Sequence, residues 1–214
     1  MPEEIPFAIT PISFFAIGCD CQYLPKRGAS PSLSTHLIPD TSRLCHEHAF
    51  AKVAMGWHED GLAFQIHVTQ PYVQSNFPNI GRGDSVELFI DTRDLKSAGF
   101  NTRFCHHFYF LPKAANEHQW GEITHFRTED RHTLCDSEAL SCETQFGYLD
   151  YKMKIFIPAD CLFGYEPKQF DRLGFTYRIN RAGGNPQHFA VTSQDYQVDQ
   201  QPSLWGSLKL VKTN

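Results

Sequence analysis

The chain has 214 residues, of which 41% are apolar, with 18 Phe, 14 Gly, 13 Pro and a net charge of −5 when the histidines are neutral. This length allows one large domain with a substantial core. The acidic balance and the lack of a basic stripe argue against a nucleic-acid partner. No run of about eighteen apolar residues exists, so no transmembrane helix is expected.

The start, Met1–Pro6, is acidic and carries no positive region before the apolar Ile12–Ile17 stretch, a poor match to a secretion signal. The seven cysteines are odd in number and contain no Cys-x-x-Cys pair. Reduced thiols in a cytoplasmic protein are the expectation, and a secreted protein with two or three disulfides is the alternative. Residues 1–24 hold one or two short apolar segments broken by Pro6 and Pro11, and residues 25–45, rich in Pro, Ser, Thr and Gly, read as a long loop.

Phe50–Trp57 and Leu62–Thr69 then form a hairpin across His58-Glu59-Asp60-Gly61. In its second strand Leu62, Phe64, Ile66 and Val68 share one face, with Gln65 and His67 on the other. After a loop from Pro71 to Gly83, the stretch Asp84–Asp91 alternates again, with Val86, Leu88 and Ile90 against Ser85, Glu87 and Asp91. Phe104–Leu111 is aromatic on both faces and is expected to end at Pro112. Residues 112–145 read as a second long loop or cover, with a short strand at Gly121–Phe126.

The longest alternation is Phe146–Ile157, which puts Leu149, Tyr151, Met153, Ile155 and Ile157 on the core and Tyr148, Asp150, Lys152 and Lys154 outside. Ala159–Phe163 reads as one helical turn. Leu173–Ile179 alternates with Arg178 and Asn180 on its polar side, His188–Thr192 reads as a returning strand, and Gly206–Val211 closes the chain. About nine strands without a long amphipathic helix predict an all-β fold of two packed antiparallel sheets in a single domain over 1–214, with long loops and little helix.

Four pieces in order resemble the family 9 carbohydrate-binding module-like fold, a β-sandwich related in shape to DOMON domains. They are Leu62–Thr69, Asp84-Ser85-Val86-Glu87-Leu88-Phe89-Ile90-Asp91, the strand ending Ile157-Pro158 before Asp160, and Trp205-Gly206-Ser207-Leu208. The resemblance implies a sandwich that grips sugar ends between tryptophans and can carry structural calcium. It assigns Trp205 to a structural closing motif.

The residues themselves set out the site candidates. Gln65, His67, Glu87, Lys152, Arg178 and Asn180 lie opposite the apolar rows, where neighbouring strands of one outer face would gather them around a polar ligand. Trp120, Tyr148 and Trp57 are candidate aromatic platforms. The alternative for the same row is a hydrated outer sheet. Glu87 and Asp91 are four residues apart on a strand, about 13 Å, too far for one ion or a glycosidase pair. Asp91 at the strand end is a candidate calcium ligand with loop oxygens, or a turn former in Asp91-Thr92-Arg93-Asp94.

Cys45-His46-Glu47-His48 and Cys105-His106-His107 contain metal-ligand types, but His106 and His107 point to opposite faces of a strand, and convergence of three or four ligands is required. Neither a nucleophile elbow nor a phosphate-binding glycine loop is present. The expectation is a non-catalytic domain that binds a glycan or similar polar ligand, without a cofactor other than a candidate structural calcium. The alternative is a structural or protein-interaction sandwich with a protein partner.

Overall fold

The computed structural model describes residues 17–212. The sequence readings for residues 1–16, including most of the Ile12–Ile17 stretch, lie outside that range. Eleven strands follow in order: β1 Gly18–Tyr23, β2 Ala51–His58, β3 Gly61–Val68, β4 Ser85–Asp91, β5 Cys105–Ala115, β6 His118–Glu122, β7 Ser141–Phe146, β8 Tyr151–Pro158, β9 Arg172–Asn180, β10 Gln187–His188 and β11 Gly206–Val211. Helix among the described residues is limited to short 3₁₀ turns, one of them Ala159–Cys161. None of the described helices is long and apolar enough to cross a membrane.

The strands are hydrogen-bonded in the order β6-β5-β4-β9-β11-β1-β2-β3-β8-β7, with β10 on β9. All pairs are antiparallel except those of β1, which runs parallel to both β11 and β2. β1 touches β2 only at Gln22 and Tyr23. Further along β2 the segment around Leu37 takes its place, with Ile38 N–H donating to Val53 O and Met55 N–H to His36 O. The loop 25–45 is thereby held against the sheet although it forms no strand.

The path folds back on itself, so that the half containing β4, β5, β9 and β11 faces the half containing β2, β3, β7 and β8. The alternating apolar rows meet between them. Val86, Leu88 and Ile90 of β4, Phe108 and Phe110 of β5, and Phe175, Tyr177 and Ile179 of β9 share one core with Leu62, Phe64 and Ile66 of β3 and Met153, Ile155 and Ile157 of β8. Phe64 and Phe175 stack across the layers at 5.9 Å. Each such buried aromatic or aliphatic side chain contributes about 1.5–3 kcal/mol from apolar burial, which sets the two-layer architecture. The fold is the all-β two-sheet sandwich with little helix expected from the alternation.

Several local readings are corrected. Phe146–Ile157 is not one strand: Phe146 ends β7, residues 147–150 turn, and β8 begins at Tyr151. Gly147 N–H donates to Asp150 O to close that turn. Leu149 sits on it 65% exposed rather than in the core. Pro112 does not end β5, which continues to Ala115. Its missing N–H falls beyond the β4 pairing and where the β5–β6 register shifts, so no ladder bond is lost. Residues 112–145 carry the end of β5, all of β6 and most of β7 as well as irregular chain, and the strand expected at Gly121–Phe126 lies earlier, at His118–Glu122. The strand expected at His188–Thr192 is the two-residue β10. Finally, Cys135 and Cys161 form a disulfide, whereas Cys19, Cys21, Cys45, Cys105 and Cys142 are free thiols.

Candidate functional site

The outer face of the β5-β4-β9 layer is not a hydrated sheet. Every residue of β4 is buried, on both faces. Phe89 and Cys105 pack outward against Val191, Val198 and Trp205 from the chain that precedes β11. Tyr109 and Leu111 pack against Ile80. The aromatic load on both sides of Phe104–Leu111 is thus explained by a second, outer apolar layer.

Within that layer lies a polar cluster centred on Glu87. The register sets Glu87 opposite Arg178 and Ser85 opposite Asn180. Arg178 forks onto the carboxylate through Nε, 2.6 Å from Oε1, and a terminal nitrogen, 2.7 Å from Oε2. His107 Nε2 lies 2.8 Å from Oε2, and Asn180 Nδ2 donates to Oε1 at 2.7 Å and to Ser85 Oγ at 2.9 Å. Phe89 stacks on the His107 ring at 4.2 Å and fixes its plane. Burial pushes the Glu87 carboxyl up, but hydrogen bonds from His107 and Arg178 outweigh it and hold the group well below the usual carboxylate range. The Glu87 side chain is fully covered, whereas Arg178 remains 21% and His107 9% exposed. Chemically this is a locked anion that holds the Arg178 fork and His107 Nε2 against itself and leaves the remaining edges of both side chains at the surface. A carboxylate kept ionised by so many donors is not a general acid at neutral pH.

The sequence-predicted site residues are not gathered together. Arg178 and Asn180 belong to the Glu87 cluster. Gln65, His67 and Lys152 lie on the outer face of the opposite layer, with His67 facing Lys152 across β3 and β8 and bonded to Asp150 Oδ2 at 2.7 Å. Tyr148 stands on the 147–150 turn, 93% exposed. Because the two layers meet through the core, their outer faces point away from each other, and one ligand cannot touch both groups.

Trp120 pairs with Phe110 on the core side of β6, at the open rim between the layers, and its Nε1 donates to Ser137 O at 3.0 Å. It lines a cleft with Leu140, Glu143 and Lys154. Trp57 and Trp205 are both buried and donate to Val211 O and Val198 O respectively. The three tryptophans therefore form no facing pair. Asp91 is buried, with Oδ1 accepting from Arg93 N–H and Oδ2 from Leu95 N–H, the turn-forming arrangement.

Sequence reasoning noted His106 and His107 only as metal-ligand types on opposite strand faces and did not find the partners of a second cluster. Glu122 of β6 is buried beside His106 of β5 and His132 of the irregular chain between β6 and β7. Its Oε1 lies 2.9 Å from His106 Nδ1 and 2.8 Å from His132 Nε2. Burial opposes its ionisation, yet the bonds from His106, His132 and Thr124 bring its pKa down to about 2. The separation of His106 and His107 to opposite faces was legible from strand geometry, whereas the partners Glu122 and His132 carried no periodic signal.

The sequence matches the family described as carbohydrate family 9 binding domain-like over residues 29–213. No curated protein matches it. Among solved structures, a family 9 carbohydrate-binding module from Caldicellulosiruptor kristjanssonii in complex with cellotriose is similar, with a TM-score of 0.65, 16% identity, and coverage of 92% of this chain and 95% of that one. The same organism's module in complex with glucose gives a TM-score of 0.63 at 16% identity, covering 92% of this chain and 96% of that one. On the extent of the family match, this chain belongs to the carbohydrate family 9 binding domain-like family.

Proposed function

We propose that the protein is a non-catalytic module that binds carbohydrate on the outer face of the β5-β4-β9 layer. The observation that carries this reading is the Glu87 cluster. A buried carboxylate holds Arg178, His107 and Asn180 in fixed geometry, while Arg178 and His107 keep surface toward solvent. The outward edges of these two planar side chains, held in place by the bonds beneath them, suit the hydroxyls of a sugar and lose little side-chain entropy on binding. Family membership and the sugar complexes of structurally similar modules support the same ligand class.

Calorimetric titration against a panel including glucose and cellotriose tests it. Saturable binding is expected, with the saccharide recovered intact. Arg178→Lys removes the fork and weakens binding by roughly ten- to a hundredfold, the worth of a charge-assisted hydrogen bond. Gln65→Ala and Lys152→Ala leave binding unchanged. The reading fails if no saccharide binds, or if Arg178→Lys binds as well as the parent.

A second reading, a protein-interaction domain, draws on a different surface. Phe146, Tyr148 and Leu149 are exposed together around the β7–β8 turn, and β7 ends the sheet path with one edge open. Concentration-dependent self-association that Tyr148→Ser together with Leu149→Ser abolishes would favour it.

A further inference from the structure

We propose that His106, Glu122 and His132 form a binding site for a borderline divalent metal ion of the zinc type, independent of sugar recognition. Their three ligand atoms lie within 4.8 Å of one another. The side chains of His106 and Glu122 are fully covered and that of His132 is 2% exposed.

The hydrogen-bond geometry around them leaves a place for a cation. His132 Nδ1 lies 2.7 Å from Arg103 O, and a carbonyl oxygen only accepts, so the ring proton sits on Nδ1. In the neutral ring Nε2 is then a bare lone pair, aimed at Glu122 Oε1 from 2.8 Å. A lone pair facing an anion is repulsive, so this contact calls for a second proton or a metal ion between the two atoms.

Crowding at the same oxygen points the same way. His106 Nδ1 at 2.9 Å, His132 Nε2 at 2.8 Å and Thr124 Oγ1 at 2.6 Å all converge on Oε1, three polar atoms on one carboxylate oxygen. The His106 and His132 rings stack at 4.2 Å, an unfavourable spacing for two imidazolium charges. One divalent ion bound to both nitrogens and to the carboxylate replaces the bridging protons and leaves a single net positive charge on the cluster.

The surroundings have the form of an outer coordination shell. Arg103 O fixes the His132 tautomer, and Cys135 N–H donates to Glu122 Oε2 at 2.7 Å, orienting the carboxylate. Two imidazoles and one carboxylate suit zinc and related ions rather than calcium, which takes oxygen ligands throughout. With ligand bonds of about 2.0–2.1 Å, a tetrahedral site needs the nitrogen–oxygen pairs to part by about half an ångström. A pocket lined by His132, Cys135, Asp160, Cys161 and Phe163 adjoins the cluster and supplies an access route and an open fourth position. The ion would tie the irregular chain carrying His132 to β5 and β6.

The test uses the full chain without an affinity tag, stripped with chelator and titrated with zinc chloride alone. One zinc per chain is expected, with proton release visible as a buffer-dependent heat, because the protons between the ring nitrogens and Oε1 leave for the solvent. His132→Gln weakens binding by more than roughly a hundredfold, and His67→Ala, at the exposed pair with Asp150, leaves it unchanged. Hydrogen exchange on the parent chain avoids any folding defect of the variant: zinc slows exchange across residues 123–136. The proposal is overturned by sub-stoichiometric zinc, by undiminished binding in His132→Gln, or by unchanged exchange in that segment.

Discussion

Glu87 on β4 and Arg178 on β9 sit directly opposite each other and are joined by two hydrogen bonds of 2.6 and 2.7 Å, the carboxylate fully covered and the guanidinium partly exposed. Removing one partner of a buried ion pair strands the other, at a cost of about 3–5 kcal/mol. Arg178→Ala should therefore lower the stability of the fold by several kcal/mol in urea unfolding, and Arg178→Lys, which retains the charge, by less.

The same pair sets a pH dependence. The Glu87 carboxyl is lower in the folded chain than its ordinary value near 4.5. Its stabilisation is accordingly full above that value and is lost as the pH falls below it toward the folded-state value. Urea midpoints measured from pH 7 down to 3 should decline most steeply below about 4.5. In Glu87→Gln, which has no proton to take up, the decline should be shallower. Parallel curves for the two proteins would show that Glu87 is not the group responsible.

The free thiols should be nearly inert in the native state. Burial is the leading cause that raises Cys19, Cys45, Cys105 and Cys142 to about 12, and Cys21 higher still. The reactive thiolate is therefore scarce at pH 8. Ellman's reagent should react slowly with the native chain, count five thiols in denaturant, and count seven after reduction of the Cys135–Cys161 bridge.

What was legible in the sequence follows from how local each signal is. Leu62–Val68, Val86–Ile90 and Leu173–Ile179 alternate within one strand, and burial of one face is a property of that strand alone. Leu149 misled because it has the same parity as Tyr151, so the alternation runs unbroken through the 147–150 turn. Parity also put Gln65, His67, Glu87, Lys152, Arg178 and Asn180 on the faces opposite the apolar rows. It carries no information on strand order, and order decides that Arg178 joins Glu87 whereas Lys152 joins His67 on the far layer. His132 lies in chain with no periodicity, where only tertiary structure could bring it to Glu122.

The β2–β3 hairpin turns on Gly61. Its φ is +142°, and a Cβ there would stand 2.2 Å from Ile157 O and 2.9 Å from Pro158 Cα. Both the backbone conformation and the space require glycine, because the obstructing atoms are main chain on neighbouring β8. Gly61→Ala should cost at least about 1–3 kcal/mol and lower the thermal midpoint by several degrees. Gly28→Ala, also at positive φ but with open space around the Cβ position, should cost less.

Tryptophan fluorescence separates the two surfaces that a sugar has available. Trp57 and Trp205 are buried with their indole nitrogens satisfied, whereas Trp120 is only partly covered at the rim. Acrylamide should quench one component of the emission, and Trp120→Phe should remove that component. A saccharide held by Arg178 and His107 sits on the outer face of the β5-β4-β9 layer. Trp120 points to the core side, into the cleft with Glu143 and Lys154, so quenching of Trp120 should be the same with and without bound sugar. Protection of Trp120 by saccharide would move the binding site to that cleft, and Glu143→Ala rather than Arg178→Lys would then be the variant that loses binding.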